Sequence, residues 1–259
     1  MFEPIRQFRR KLKAGQLCLG VSITLSDPVV TEVLGRHADF LWIDLEHTPM
    51  GLESLQGHLI AARAVSVAAL VRVPAAEEWM IKRVLDMGAG GVIVPQVRSA
   101  AEVKRVVETC RYKPQGNRGY GPRRASNYGA DPAYLETINQ DLFVCVQIEN
   151  VEALAELDQI VQVPGLDSVA LGPFDLAASM GYMRHPEQPE VVAAIERVIE
   201  TARARGLWVG MGGPADEEYA LRAVRQGVQW LQSGTDFEYL SQFIAPFFQR
   251  VLDRLGKEA

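Results

Sequence analysis

Charged and polar side chains stand directly after several apolar runs of this 259-residue chain. Asp44, Glu46 and His47 follow one run, Arg72 another, Glu149 a third, and Gly172-Pro173-Phe174-Asp175 a fourth. None of these runs needs a charge at its end for structural reasons. If Glu149 and Asp175 lie close together, their charges repel unless a cation sits between them. An all-oxygen site with two protein carboxylates suits Mg²⁺ or Mn²⁺ and leaves positions open for substrate and water. The competing reading is helical. Gly-Pro-x-Asp opens a helix, acids are favoured in a first turn, and Glu149 could serve a following helix in the same way. The two acids together favour the metal.

His47 is the one histidine of four at the end of an apolar run, whereas His37, His58 and His185 fall in helix or loop contexts and read as solvated. Asp44, three residues earlier, could orient its imidazole and leave the other ring nitrogen to move a proton. The alternative is a histidine satisfied by the Thr48-Pro49 turn. Arg72 follows Ala68-Ala69-Leu70-Val71 and reads either as a fork for a carboxylate or developing oxyanion, or as a salt-bridge partner of Glu46. The lysines (Lys11, Lys13, Lys82, Lys104, Lys113 and Lys257) all fall on expected helices, tails or a long loop. None is placed to form a Schiff base, so carbanion chemistry here would rest on a metal.

Such residues need a scaffold that gathers strand ends. Apolar runs at 17–22, 40–43, 68–71, 91–94, 143–148, 168–171, 208–211 and 230–232 read as strands. Helical periodicity fills 27–36, 52–64, 77–87, 100–110, 150–160, 190–205 and 215–226. Asp27-Pro28 and Ser99 mark helix starts, and Gly15, Gly88, Gly206 and Gly227 mark helix ends. Alternation of this kind means parallel strands with right-handed crossovers. An open doubly wound sheet would carry a Gly-rich turn after its first strand, and Val21-Ser22-Ile23-Thr24 has none. The expected fold is a single-domain (β/α)8 TIM barrel over 1–259, with its chemistry at the C-terminal strand ends. The basic, amphipathic N-terminus reads as a short helix closing the barrel bottom rather than a secretory signal.

Composition narrows the partners. Net charge of −5 argues against nucleic acid, and a mean hydropathy near zero with no long apolar stretch argues against a membrane span. Cys18, Cys110 and Cys145 are odd in number and lie in apolar runs, as buried thiols of a cytoplasmic protein do. The longest irregular piece, 113–130, carries Arg118, Arg123 and Arg124, which read as solvated surface or a subunit contact. An amphipathic stripe at about 237–255 ordinarily packs on the barrel.

The chain resembles the HpcH/HpaI aldolase family, of the 4-hydroxy-2-oxoheptanedioate and 2-dehydro-3-deoxyglucarate aldolase type. The matching pieces occur in family order: Trp42-Ile43-Asp44-Leu45-Glu46-His47, Leu70-Val71-Arg72-Val73, Lys82 to Gly88, Val94-Pro95-Gln96-Val97, Arg118-Gly119, Val146-Gln147-Ile148-Glu149 and Gly172-Pro173-Phe174-Asp175-Leu176. The resemblance implies a class II aldolase that cleaves or forms 4-hydroxy-2-oxo acids through a pyruvate enolate, with an aldehyde as second partner. It implies Glu149 and Asp175 as ligands of Mg²⁺, Mn²⁺ or Co²⁺, Arg72 on the 2-oxo group, and His47, held by Asp44, as acid/base. Gln147, Gly172, Pro173 and Phe174 would line the substrate, and Asp86 would assist a neighbouring subunit's site. A homo-oligomer, trimer or hexamer, with the C-terminal helix exchanged between subunits, is implied in the same way. Phe174 is bulky where many relatives carry a small residue, and Ala177-Ala178 and Trp208 to Gly213 also depart from the degradative enzymes. The rival readings are a citrate-lyase-like CoA-thioester lyase, for which the 113–130 loop is the one candidate cradle, an oxaloacetate decarboxylase, and a catalytically silent binding barrel.

Overall fold

The computed structural model describes residues 2–258. After α1 (Glu3–Lys13), strands and helices alternate. β1 (Cys18–Ile23), β2 (Phe40–Asp44), β3 (Ala68–Arg72) and β4 (Gly91–Val94) are joined by α2 (Pro28–Gly35), α3 (Leu52–Ala64) and α4 (Glu78–Asp86). From β4 the chain runs through α5 (Ala100–Cys110) and α6 (Tyr134–Asp141) into β5 (Phe143–Ile148). Next come α7 (Val151–Ala155), α8 (Leu157–Ile160), β6 (Ser168–Leu171), α9 (Pro173–Ser179) and α10 (Pro189–Ala204). The chain ends with β7 (Trp208–Gly213), α11 (Glu217–Gln226), β8 (Trp230–Thr235) and α12 (Asp236–Glu258). All eight strands pair in parallel and close in sequence order, β8 returning to β1. The expected (β/α)8 barrel is the fold.

Every expected strand is present. Those buried on both faces, such as β2, β4, β5 and β6, are the continuous apolar runs that made them legible. β7 and β8 run further than expected, to Gly213 and Thr235, because their C-terminal halves are polar or Gly-rich and carry no apolar signal. The expected helix 150–160 is broken in two, α9 starts at Pro173 as the Gly-Pro-x-Asp turn implies, and α6 has no counterpart among the expected helices.

α1 closes the barrel bottom. Phe8 lies 5.3 Å from the rings of both Phe40 and Phe143 and 6.3 Å from Trp230. Trp230 in turn packs on Phe40, Trp42 and Phe143 at 5.4–5.8 Å. Below this layer Arg111 bonds the carbonyls of Asn139, Leu142 and Gly165 and the carboxylate of Asp167, which also pairs with Arg9. The bottom is thus a fixed plug, consistent with a stabilising role for that face.

Several expectations about individual residues fail. Arg118 and Arg124 are not solvated. Arg118 is buried over the Tyr112 ring and paired with Asp86 at 2.6 Å, and Arg124 donates to the carbonyls of Met87 and Leu59. These contacts fold the 113–130 loop onto its own barrel. His58 is fully buried, bonded through Nδ1 to the Thr31 hydroxyl at 2.8 Å, while His37 and His185 are exposed as expected. The three cysteines are buried and free, and burial pushes their thiols up. No helix among the described residues is long and apolar enough to cross a membrane. Finally, α12 does not lie on its own barrel: its first turn meets β8 and β1, but Phe243 and Phe248 are 67% and 61% exposed.

Gly210 on β7 faces the aromatic layer, and a β-carbon there would sit 2.0 Å from Cε2 of Trp230. We predict that Gly210→Ala lowers stability by about 1–3 kcal/mol through overpacking. A fall in the urea midpoint at constant slope would show it, and an unchanged midpoint would contradict it.

Candidate active site

The strand register sets the first pair. Asp44, the last residue of β2, stands directly opposite Arg72, the last residue of β3. Their side chains form a two-pronged ion pair, Nε to Oδ1 and Nη2 to Oδ2, both at 2.8 Å. The remaining terminal nitrogen, Nη1, lies 3.1 Å from Oε2 of Glu46, and the guanidinium covers the Trp42 ring at 5.5 Å. Two partners and an aromatic face fix Arg72 in one orientation. Burial pushes the Glu46 carboxyl up, against the pull of Arg72 and His47.

Asp44 therefore does not hold His47, contrary to expectation. Its oxygens are taken by Arg72, and Oδ1 also accepts the Glu46 backbone N–H at 3.0 Å. His47 instead places Nε2 3.5 Å from Glu46 Oε2, with 64% of its side chain exposed at the rim. The spacing of Asp44 and His47 suggested a dyad, but strand register outweighs sequence proximity.

Glu149 follows β5 and is 2% exposed. One oxygen accepts the Gln96 backbone N–H and the other the Gln147 side-chain amide, each at 2.7 Å. Gln96 reaches that position with φ of 54°, a left-handed conformation that costs a non-glycine residue about 1–3 kcal/mol. Gly172 clears the other side, since a β-carbon there would lie 2.6 Å from Glu149 Oε2. Burial, then the nearby Asp175 and Glu46, push the Glu149 carboxyl up to about 7. Glu149 does not cap a helix. That is the task of Asn150, which accepts the Ala153 N–H at 2.8 Å and opens α7.

Asp175 lies in the first turn of α9, exposed to the cavity, and makes no side-chain capping bond. The cavity, about 760 Å³, opens at the C-terminal strand ends, and Asp44, His47, Arg72, Gln147, Asp175 and Phe174 all line it. Gly172 and Pro173 line it too. Asp86 does not join them. It ends α4, at the opposite end of the barrel, where Arg118 pairs with it.

The donor set fits a divalent cation. Asp44, Glu46, Glu149 and Asp175 surround a single guanidinium, leaving the site short of positive charge. Gln147 Oε1 is buried without a partner, so an acceptor is left beside the Glu149 carboxylate. No group of three or more acidic, histidine or cysteine ligands occurs among the described residues. Glu149 and Asp175 are the carboxylates that could hold such an ion, with other positions left open for substrate and water.

The family model for HpcH/HpaI aldolase/citrate lyase matches residues 23–242, which span the barrel from the end of β1 into α12. The chain belongs to this family. A 4-hydroxy-2-oxovalerate aldolase of Rhodococcus jostii is 38% identical over 244 residues, covering 93% of this chain and 94% of the relative. A 4-hydroxy-2-oxo-heptane-1,7-dioate aldolase of Shigella sonnei is 37% identical over 242 residues, 91% of this chain and 90% of that one. The crystal structure of a family protein from Burkholderia cenocepacia superposes with a TM-score of 0.89 at 29% identity, covering 94% of this chain and 98% of that one.

Within this HpcH/HpaI barrel, sequence reasoning passed over three site residues. Glu46 was named in the polar set after β2 and as a partner of Arg72 but given no role in the chemistry, and Gln96 stood in a family motif with nothing to show its strained backbone. Glu238 was findable: Thr235-Asp236-Phe237-Glu238 is a capping box after β8, and the Thr235 N–H donates to Glu238 Oε2 at 2.7 Å.

The raised Glu149 carboxyl has a stability consequence in chelated protein. Below pH 4.5 it is protonated in folded and unfolded chains alike, and between 4.5 and about 7 only the folded chain keeps the proton. Stability relative to Glu149→Gln therefore falls by up to about 3 kcal/mol as pH rises through that window, then stays level. Paired urea titrations across the range measure it, and a flat difference would count against the assignment.

Proposed function

We propose that this chain is a metal-dependent aldolase that cleaves or forms 4-hydroxy-2-oxo acids through a pyruvate enolate, with an aldehyde as second substrate. The observation that carries this is the immobilised Arg72 and the exposed Asp175 in one cavity, with the buried Glu149 at its border against Gln147 and Gly172. The named activities of the Rhodococcus and Shigella relatives support it. Glu149 and Asp175 would hold Mg²⁺, Mn²⁺ or Co²⁺, whose Lewis acidity polarises the 2-oxo group of a chelating substrate.

The chain's own residues account for the remaining steps. Arg72 has five N–H donors, of which three face Asp44 and Glu46, so two remain for an oxygen that gains charge as the carbon–carbon bond breaks. Because its partners fix it beforehand, little reorganisation accompanies the reaction. His47, at the rim, takes the C4 hydroxyl proton in cleavage and returns it in synthesis, with Glu46 stabilising the imidazolium. Backbone N–H groups of Phe174 and Asp175, unpaired in the first turn of α9, face the substrate carboxylate. Gln147 holds Glu149 in place and offers its free oxygen to a bound water.

Two further readings belong here. The exposed apolar face of α12 is covered by another copy of the chain in a trimer or hexamer, in which Asp86 serves a neighbouring site. A monomeric mass by light scattering would refute this. The buried free thiols suit a reducing cytoplasm. The inward-turned Arg118 and Arg124 leave the 113–130 loop poorly suited to cradle coenzyme A.

The enolate step is tested without knowing the aldehyde. Deuterium exchange at the pyruvate methyl group, followed by NMR, should require a divalent metal and stop with chelator. Arg72→Ala should slow it by about 10²–10³-fold, with Mn²⁺ binding largely retained. No exchange with any metal would remove pyruvate as nucleophile, and undiminished exchange in the variant would refute the role of Arg72.

A further inference from the structure

The part of the cavity lining beyond the reacting groups bears on the choice of aldehyde. Among the described residues lining the cavity, the basic side chains are Arg72 and His47. Arg72 is already clamped by Asp44 and Glu46, and His47 turns Nε2 toward Glu46. Both belong to the end where the 2-oxo acid reacts.

Across the mouth from β3, in the closed strand order, the lining comes from the segments after β7 and β8, flanked by the segment after β6 and the turn after β2. Phe174 and Phe237, 48% and 51% exposed, face the same cavity as Pro49 and Pro214. In the segments after β7 and β8 the charged side chain lining the cavity is the carboxylate of Glu238. It is held in place because Oε2 accepts both the Thr235 N–H at 2.7 Å and the Thr235 hydroxyl at 3.0 Å. The neighbouring Asp236 is buried and accepts the backbone N–H groups of Thr24 and Leu25, each at 2.8 Å, which ties this wall to the end of β1. The negative charge is therefore part of a rigid rim rather than a mobile side chain.

An aldehyde lying across this wall meets aromatic and proline surface and a fixed anion. A carboxylate at its far end would lose hydration there and face Glu238, while the cations among the described lining residues, Arg72 and His47, stand at the end where the 2-oxo acid reacts. Like charges so placed oppose binding strongly in a partly enclosed site. We propose that the electrophile of this enzyme is an uncharged aldehyde with an apolar tail. Its cleavage substrates are then 4-hydroxy-2-oxo monocarboxylic acids, and Glu238 and Phe174 act as specificity-determining residues that exclude dicarboxylates. The inference rests on the aldolase reading above.

Full-length protein with Mn²⁺ and pyruvate is assayed for aldol product with propanal, hexanal and benzaldehyde, and with succinic semialdehyde as the acidic probe. Pyruvate methyl exchange is followed in the same preparation. Specificity constants for the uncharged aldehydes should exceed that for the acidic one at least about tenfold, by less as salt is raised. Glu238→Gln keeps an oxygen acceptor for Thr235 and should narrow that ratio several-fold by improving the acidic substrate. Phe174→Ala should flatten the preference for hexanal and benzaldehyde over propanal. Exchange together with equal or better use of succinic semialdehyde would overturn this inference alone, as would a ratio untouched by Glu238→Gln. Absence of exchange would overturn the aldolase reading and the inference with it.

Discussion

The ion pair between Arg72 and Asp44 is the constraint around which the site is arranged. It joins the last residues of two adjacent parallel strands, so the register of the barrel itself sets its geometry. A guanidinium held this way cannot swing out to neutralise other groups. Glu46 is drawn to the nitrogen that remains, whereas Glu149 is left buried beside Asp175 with only neutral donors, the Gln96 backbone and the Gln147 amide. Removing Asp44 would free Arg72 to turn toward Glu149 and would reduce the charge deficit that suits a metal. The pair thus keeps the guanidinium off Glu149.

That arrangement is supported from below. The Phe8–Phe40–Phe143–Trp230 layer and the Arg111–Asp167 network fill and close the other end of the barrel without contributing to the cavity. Because the strands are short, the aromatic layer and the charged mouth lie only a few residues apart on the same strands. Phe40 and Asp44, for example, bound β2. A shift in the packed layer would be transmitted along the strand to Asp44 and then to Arg72. Rigid aromatic packing below is what allows a mouth of unbalanced charge above.

The sequence showed the scaffold more completely than the site. Apolar runs located every strand, and the carboxylates and arginine that line or border the cavity were visible because charge followed each run abruptly. What it could not show was lateral pairing. Asp44 was assigned to His47 because they are near in sequence, but the β2–β3 register pairs Asp44 with Arg72, and register has no signature in one chain. His58 misled for a related reason: an isolated histidine on a helix reads as solvated, and its partner, Thr31, lies on a different helix. Gln96 was invisible because its contribution is a backbone N–H aimed by a left-handed φ. The basic loop and α12 failed in opposite directions. Charged arginines proved to be buried against carbonyls and Asp86, while an apolar stripe proved to be exposed, because amphipathicity says that a face needs covering and not what covers it.

These observations divide the barrel by task. The groups that would handle the 2-oxo acid come from β2, β3, β5 and the turn after β6, where strand register and short turns fix them. The wall facing the aldehyde comes from the segments after β6, β7 and β8, with Phe174, Pro214, Phe237 and Glu238 as its surface. Those side chains stand on helix first turns and a loop, so they can change without disturbing a strand pair. Enolate chemistry needs the same charges whatever the aldehyde, whereas an aldehyde is recognised by its tail. A fold that draws the two largely from different strand ends of one cavity lets the second vary while the first keeps its geometry. The bulky Phe174 beside Asp175 is the point where they meet. Adjacent residues of one helical turn there carry both the constant part of the chemistry and its variable part.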